Sequence, residues 1–255
     1  MLSKIKDFSL RLIFPLFFWL CVWQILAVIV NRSFFLPTVP ETMKALFDIL
    51  RSERFLITVF MTLFRIIFGL VIGIFLGIVL GIASYKSKIV YSLFSPALSV
   101  IKATPVASII ILLWISLSGD MLSVLIALLM VLPIIWQNVY DGLTAVNREL
   151  SEIAFSYEFS FMKKMRILVM PTLSDFLVPA VITATGLAFK SEIAAEIIAG
   201  VRDSIGQMIY HSKDAYDTAA VFAWTAIGVF FSLVFEKLIR LVLSGFKKRK
   251  KEGEL

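Results

Sequence analysis

E-I-A-F-S-Y-E-F-S-F-M-K-K-M-R-I-L-V-M-P, residues 152–171, is the only long polar and basic interruption in the second half of a very apolar chain. Apolar runs flank it, 121–136 before and 173–199 after. Leu150, Ile153, Ala154 and Tyr157 recur at i, i+3, i+4 and i+7, which is one face of a helix. Ala154 gives that face a small position for close approach. Ser160 is placed to cap a second helix over 161–169, whose Lys163, Lys164 and Arg166 stay in water. Pro171 is expected to end the segment before the next apolar run. A charged helical loop between two such runs is a poor membrane segment and a good docking surface. The plainer reading is an amphipathic helix lying on the membrane.

Working outward, the chain has 255 residues, of which 60% are hydrophobic and 17% charged. Repeated long apolar runs place it among polytopic membrane proteins. The net charge of +7 does not point to nucleic acid, because the basic residues sit between apolar runs and at the two ends. The single cysteine, Cys21, precludes an internal disulfide and a cysteine metal cluster. The single histidine, His211, has no partner for a zinc or haem site and reads as a surface residue.

The expected spans are 12–30, 55–83, 89–116, 121–136, 173–199 and 218–243, six in one transmembrane domain, with a coupling loop over 139–171. Lys4, Lys6 and Arg11 precede the first run, which is too long for a signal-peptide core and reads as a retained span. Met43, Leu46, Phe47 and Leu50 mark an amphipathic surface helix begun by Pro40 and Glu41. In the second span Gly69, Gly73, Gly77 and Gly81 form a stripe where another backbone can approach closely. The same stripe could serve as a sliding surface. Arg65 in this span is expected to snorkel to headgroups. Pro96 and Pro105 predict a broken, two-part third element. Lys102, Thr104 and Pro105 there are candidates for lining a path, or Lys102 simply reaches water at the membrane boundary. Gly119-Asp120 reads as a tight turn. Lys190, Glu192 and Glu196 are costly charges in the fifth span. They form either a polar wall of a path or a structural ion pair of a glutamate with Lys190 or Arg65. The basic run 247–251 is expected to hold a span end against anionic lipid.

Residues 152–171 resemble the EAA loop of bacterial ABC importer permeases, written Glu-Ala-Ala, three residues, Gly, nine residues, Ile, any residue, Leu-Pro. Glu152, Ile153 and Ala154 fill the first triplet, and Leu168, Met170 and Pro171 fill the end at matching spacing. Asp141-Gly142-Leu143 with Asn147, Ala195-Glu196-Ile197 and the segment 204–209 also resemble family segments. L-P-T-V-P-E at 36–41 resembles the subfamily that imports nitrate, sulfonates, taurine and thiamine precursors. The resemblance implies an all-α polytopic fold with six transmembrane helices in the type I (MetI-like) arrangement. It implies ATPase coupling through Glu152, Ile153, Ala154, Tyr157, Glu158, Phe159, Ser160 and Pro171. Glu158 departs from the family glycine, where a left-handed backbone costs another residue ~1–2 kcal/mol. Either the turn has another shape or the partner is adapted to it.

The resemblance further implies two ATPase subunits carrying the ATP and Mg, and a second permease copy, with a homodimer expected. It also implies an extracytoplasmic solute-binding protein, a bacterial inner-membrane location and no cofactor on this chain. The chain lacks a G-x-x-x-x-G-K-[ST] loop, so hydrolysis is expected on the partner and no enzyme activity here. With six spans both termini are cytoplasmic. Lys86, Lys88, Arg148, Lys163, Lys164, Arg166 and the terminal charges then lie inside, against fewer outside. The expected solute is a small organic anion or a vitamin precursor of thiamine-pyrimidine or riboflavin type. A membrane enzyme would need a His, Asp or Cys cluster, and an energy-coupling-factor scaffold would need arginine-containing coupling motifs. An ion-coupled transporter would use Glu192 and Glu196 and is the alternative kept open.

Overall fold

The computed structural model describes residues 2–117 and 119–252, with side chains over 14–117 and 119–243. The side chains of Lys4, Lys6, Arg11 and the run 247–251 therefore lie outside the described residues. Every regular element among the described residues is helical. In chain order they are α1 (Leu2–Val30), α2 (Val39–Arg51), α3 (Phe55–Lys86), α4 (Lys88–Ala103), α5 (Val106–Trp114) and α6 (Gly119–Thr144). There follow α7 (Arg148–Ser156), α8 (Phe161–Lys164), a π-helical turn (Met165–Val169), α9 (Met170–Ala199), α10 (Ile205–Asp214) and α11 (Thr218–Glu252).

Lipid tails are as apolar as leucine, so helices in a membrane associate chiefly through close packing. The α3–α6 pair shows what that demands. A Cβ added at Gly69 would sit 2.7 Å from the Ala127 Cβ, and one at Gly77 would sit 2.7 Å from the Ile135 Cβ. Gly73 meets Val131 and Gly81 meets Val139 in the same way. Both helices advance by four residues per contact and in the same direction, so α3 and α6 run parallel in a single continuous register. No side chain larger than hydrogen fits on the α3 side of this seam.

On the other face of the pair lies α9. Gly142 of α6 packs on Leu173 and Phe176 near the start of α9, while Ser123 of α6 bonds to Glu192 near its end. The two helices are therefore antiparallel. Ile66, Leu70, Val131, Ile135, Ala184 and Ala188 fill the core between the three helices. At the end of the bundle near the 147–164 loop, the Trp136 indole donates to the Ser84 hydroxyl at 2.9 Å, and Tyr91, Trp136 and Tyr140 stack.

Four helices are long and apolar enough to cross a membrane: Phe55–Lys86, Gly119–Thr144, Phe161–Ala199 and Thr218–Leu243. The pair α4 and α5 makes a fifth if its two parts count as one span, since they are bent by 103° at 104–105. Thr104 Oγ1 donates to the Val100 carbonyl there, and Pro105 caps α5. Helix α1 continues this apolar character, with Phe14, Phe17, Phe18 and Trp19 exposed. It is tied to the rest at its C-terminal end, where the Trp23 indole donates to the Pro37 carbonyl and stacks on Phe222. Thr38 and Glu41 form a capping box on α2. The hydrogen bond from the Thr38 backbone, with a second from Ser33, holds the Glu41 carboxyl below the usual range.

Three readings from the sequence change. Pro171 does not end a segment: the helix runs on from Phe161 to Ala199, and the proline lies in the first turn of α9. The π-helical turn just before it absorbs the irregularity, with the Met170 N–H donating to the Met165 carbonyl. The second loop helix, expected over 161–169, accordingly stops being α-helical at Lys164. Gly119, at φ +61°, begins α6 and Asp120 lies in its first turn, so the pair opens the helix.

Gly77→Leu should prevent the α3–α6 contact. Its measurable outcome is a protein that reaches the membrane but aggregates or is proteolysed on detergent extraction; a monodisperse, stable variant would contradict the seam.

Candidate functional site

Two polar regions stand out against the apolar bundle, one at each end. The first is the loop 147–164. Asn147 caps α7, its side chain accepting the Leu150 N–H at 3.2 Å. Arg148 and Glu152 pair at 3.0 Å across one turn, both exposed. At the C-terminus of α7 the Phe159 N–H donates to the Ala154 carbonyl and the Glu158 N–H to that of Phe155. This is a Schellman turn, whose C′ residue must be left-handed. Glu158 occupies that position at φ +51°. The turn thus keeps the shape that glycine serves best, and glutamate bears the strain. Ser160 then caps α8 by accepting the Lys163 N–H, and the Lys163 ammonium lies 4.0 Å from the Phe159 ring centroid.

The side chains divide sharply. Ala154 is 3% exposed, so its small side chain faces the chain's own interior. That corrects the sequence reading, which placed Ala154 on the presented face with Ile153 and Tyr157. Phe155, Tyr157, Phe161 and Met162 are between 74% and 84% exposed, and Leu150 and Ile153 are about half exposed. Phe155, Phe161 and Met162 did not register as presented residues, because a pattern of apolar positions does not say which face is covered. Pro171 is half-buried.

The second region lies at the opposite end of the bundle. Arg65 is 4% exposed and does not snorkel. Its guanidinium holds Asp120 at 2.7 Å, Glu196 at 3.2 Å and the Arg202 carbonyl at 3.0 Å. The Thr62 hydroxyl donates to both Glu196 oxygens, at 2.8 and 3.0 Å, and accepts the Ile205 N–H. The Gly206 N–H donates to Glu196 Oε2 at 3.0 Å. Glu196 thereby sits at the N-terminus of α10, where the helix dipole and free N–H groups favour an anion. A Cβ at position 206 would overlap the Glu196 side chain, which explains the glycine.

One turn back, Glu192 is fully buried and accepts from the Ser123 hydroxyl at 2.9 Å, while its Oε2 has no hydrogen-bond partner among the described residues. Of the expected polar residues, then, Glu192 and Glu196 come together on this clamp with Arg65. Lys190 is exposed on another face of α9, and Lys102, Thr104 and Pro105 lie at the α4–α5 bend, with Lys102 and Pro105 exposed. Thr62, Asp120, Ser123 and Gly206 were missed, since they come from three elements, α3, α6 and α10, and only the fold brings them to α9. Among the described residues no group of His, Cys, Asp and Glu could hold a metal ion.

Beside this clamp α9 and α11 enclose a cleft of about 440 Å³ lined by Lys190, Phe189, Trp224 and Glu236 among others.

The fold and the loop define the class: a helical, polytopic membrane protein with an exposed helical loop at one end. Residues 69–250 match the family described as binding-protein-dependent transport system inner membrane component, and the chain belongs to that family. In fold it is similar to a solved chain titled "Crystal structure of an amino acid ABC transporter with histidines". The two agree at TM-score 0.57 and 18% identity, over 74% of this chain and 91% of that one. No curated protein matches the chain at a significant level.

Glu158→Gly should relieve about 1 kcal/mol of backbone strain and slow amide exchange over 154–164; faster exchange in this variant would contradict the left-handed turn. Glu196→Ala should cost ~3–5 kcal/mol, because it leaves the Gly206 N–H without an acceptor in the interior and takes from Arg65 its buried carboxylate partner. Asp120→Ala, at an exposed carboxylate, should cost under ~1 kcal/mol. Denaturation midpoints of the two variants in detergent would check that ranking.

Proposed function

We propose that this chain is the permease subunit of an ATP-binding cassette importer that docks a separate ATPase through the exposed apolar face of α7 and α8. The observation that carries the docking assignment is the exposure of Phe155, Tyr157, Phe161 and Met162, four large apolar side chains left in the open on a polar loop. Large apolar side chains exposed together on a short charged loop suit a protein contact. The EAA spacing of Glu152 to Pro171 supports the same assignment. Glu152, Ile153, Ala154, Tyr157, Glu158, Phe159, Ser160 and Pro171 then divide the work. Ile153 and Tyr157 touch the ATPase, Ala154, Glu158, Phe159 and Ser160 shape the loop, and Pro171 joins it to α9.

In this reading two copies of the chain form a homodimer around the path, and two ATPase subunits carry ATP and Mg. An extracytoplasmic binding protein delivers the solute, and nucleic acid has no part. Both termini and the docking loop lie in the cytoplasm of a bacterial cell, as the distribution of Lys and Arg supports. Lys102, Thr104, Pro105 and Lys190 are the path candidates. The solute is a small organic anion of sulfonate type or a vitamin precursor. The engagement of Glu196 with Arg65 and Thr62, and of Glu192 with Ser123, supports a structural role for both and counts against the ion-coupled alternative.

Phe155→Asp combined with Tyr157→Asp should leave the permease folded in the membrane and reduce ATPase copurification at least about tenfold. Undiminished copurification would overturn the docking assignment. Uptake that collapses with an uncoupler while ATP is maintained would favour the ion-coupled alternative.

A further inference from the structure

The cleft between α9 and α11 holds a charge that no described residue answers. Lys190 lies nine residues before the end of α9, ~14 Å of helix from that terminus. It is exposed, and no hydrogen bond or ion pair engages its ammonium among the described residues. A cation at such depth is costly unless it faces water, a partner or a ligand. The other charged group on the wall, Glu236, is already paired with Arg240 at 2.9 Å, so the uncompensated sign in the cleft is positive.

Its walls are shaped as well as charged. Gly186 lies one turn before Lys190 on the same face, and a Cβ there would meet nothing within 4 Å. Helix packing therefore does not require this glycine, unlike the four in α3. Its missing side chain leaves space in the cleft and nowhere else. Phe189 and Trp224 supply aromatic surface beside that space. A cleft of about 440 Å³ has the size of a small-molecule site.

We infer that this cleft is a binding station for a small organic anion with an apolar or aromatic body, its charged group held by Lys190 and its body lying over Gly186. The inference deepens the path proposed above and rests on that reading. Gly186 is a size-determining position, and Lys190 sets the sign of the charge accepted. Lipid chains and a helix of the second copy are the competing occupants.

The test uses the Gly186→Cys variant in a Cys21→Ser background, purified with its ATPase and placed in lipid nanodiscs without ATP. Two thiol reagents of matched size are compared, anionic sulfonatoethyl and cationic trimethylammonioethyl methanethiosulfonate. The expected result is reaction with both, the anionic reagent faster by about fivefold or more after correction for their rates with free thiol. Adding Lys190→Gln should abolish that preference, and 10 mM benzenesulfonate (a small aromatic anion) should slow the labelling. Reaction with neither reagent would mean that lipid or the second copy fills the cleft, and equal rates with both would mean that Lys190 does not set its field. A preference that survives Lys190→Gln, or labelling indifferent to benzenesulfonate, would also overturn the inference. Because labelling needs no ATP hydrolysis, a failure of docking at α7 and α8 leaves this readout intact.

Discussion

The α3–α6 seam is the contact on which the rest of the molecule depends. In water a helix pair can be held by removing any adequate apolar surface, with tolerance for imperfect fit. In lipid that drive is absent, and attraction falls off within fractions of an ångström of ideal contact. The glycines of α3 bring the two backbones close enough for Ala127, Val131, Ile135 and Val139 to reach the opposite main chain. This rigid parallel pair makes the surface on which α9 lies antiparallel, and α9 in turn carries α10 and α11 beside it. Exposed phenylalanines at 60, 64 and 68 on the outer side of α3 show no such fit, as expected of a face turned to lipid or to another subunit.

On this frame the two polar regions are joined by one element. The helix that begins at Phe161 continues to Ala199, a single rod of 39 residues. Its start belongs to the exposed loop. Its end carries Glu192 and Glu196 into the clamp with Arg65, Ser123, Thr62 and the N-terminus of α10. The π-helical turn at Met165–Val169 is the place where that rod is least regular, and it falls between the exposed loop and the apolar stretch. π-helical turns often lie at functional sites because the local ladder of hydrogen bonds can shift by a residue at low cost. The clamp at the other end is well satisfied, apart from one Glu192 oxygen, and so resists such a shift.

Much of this was legible in the sequence wherever a single element carries the information. The glycine stripe needs only its own spacing, the bend at 104–105 needs only its proline, and the Ser160 cap needs only local chemistry. Readings failed where the answer lies across elements. Arg65 was placed at a headgroup because its span gave it no partner; Asp120 and Glu196 come from helices 55 and 131 residues away along the chain. Ala154 was assigned to the presented face because helical periodicity identifies a face and cannot say which neighbour covers it. Pro171 was read as a stop on its local preference, which the π-helical turn before it overrides.

Glu158 shows why such departures need a structure to interpret. A glycine replaced by glutamate could signal a different turn, and the sequence alone left that open. The backbone at φ +51° and the two reverse hydrogen bonds into Ala154 and Phe155 show the turn conserved in shape. The strain of ~1–2 kcal/mol is borne by a loop whose neighbours over-determine its path: Asn147 caps one side, Ser160 caps the other, and Ala154 is packed beneath. A turn enforced from three sides does not need the residue that would adopt it most readily. The glutamate side chain, exposed at the tip, is therefore free of any folding duty and stands beside the apolar face of the loop. Substitution there by another residue that tolerates the left-handed backbone alters the charge of the loop without altering its outline.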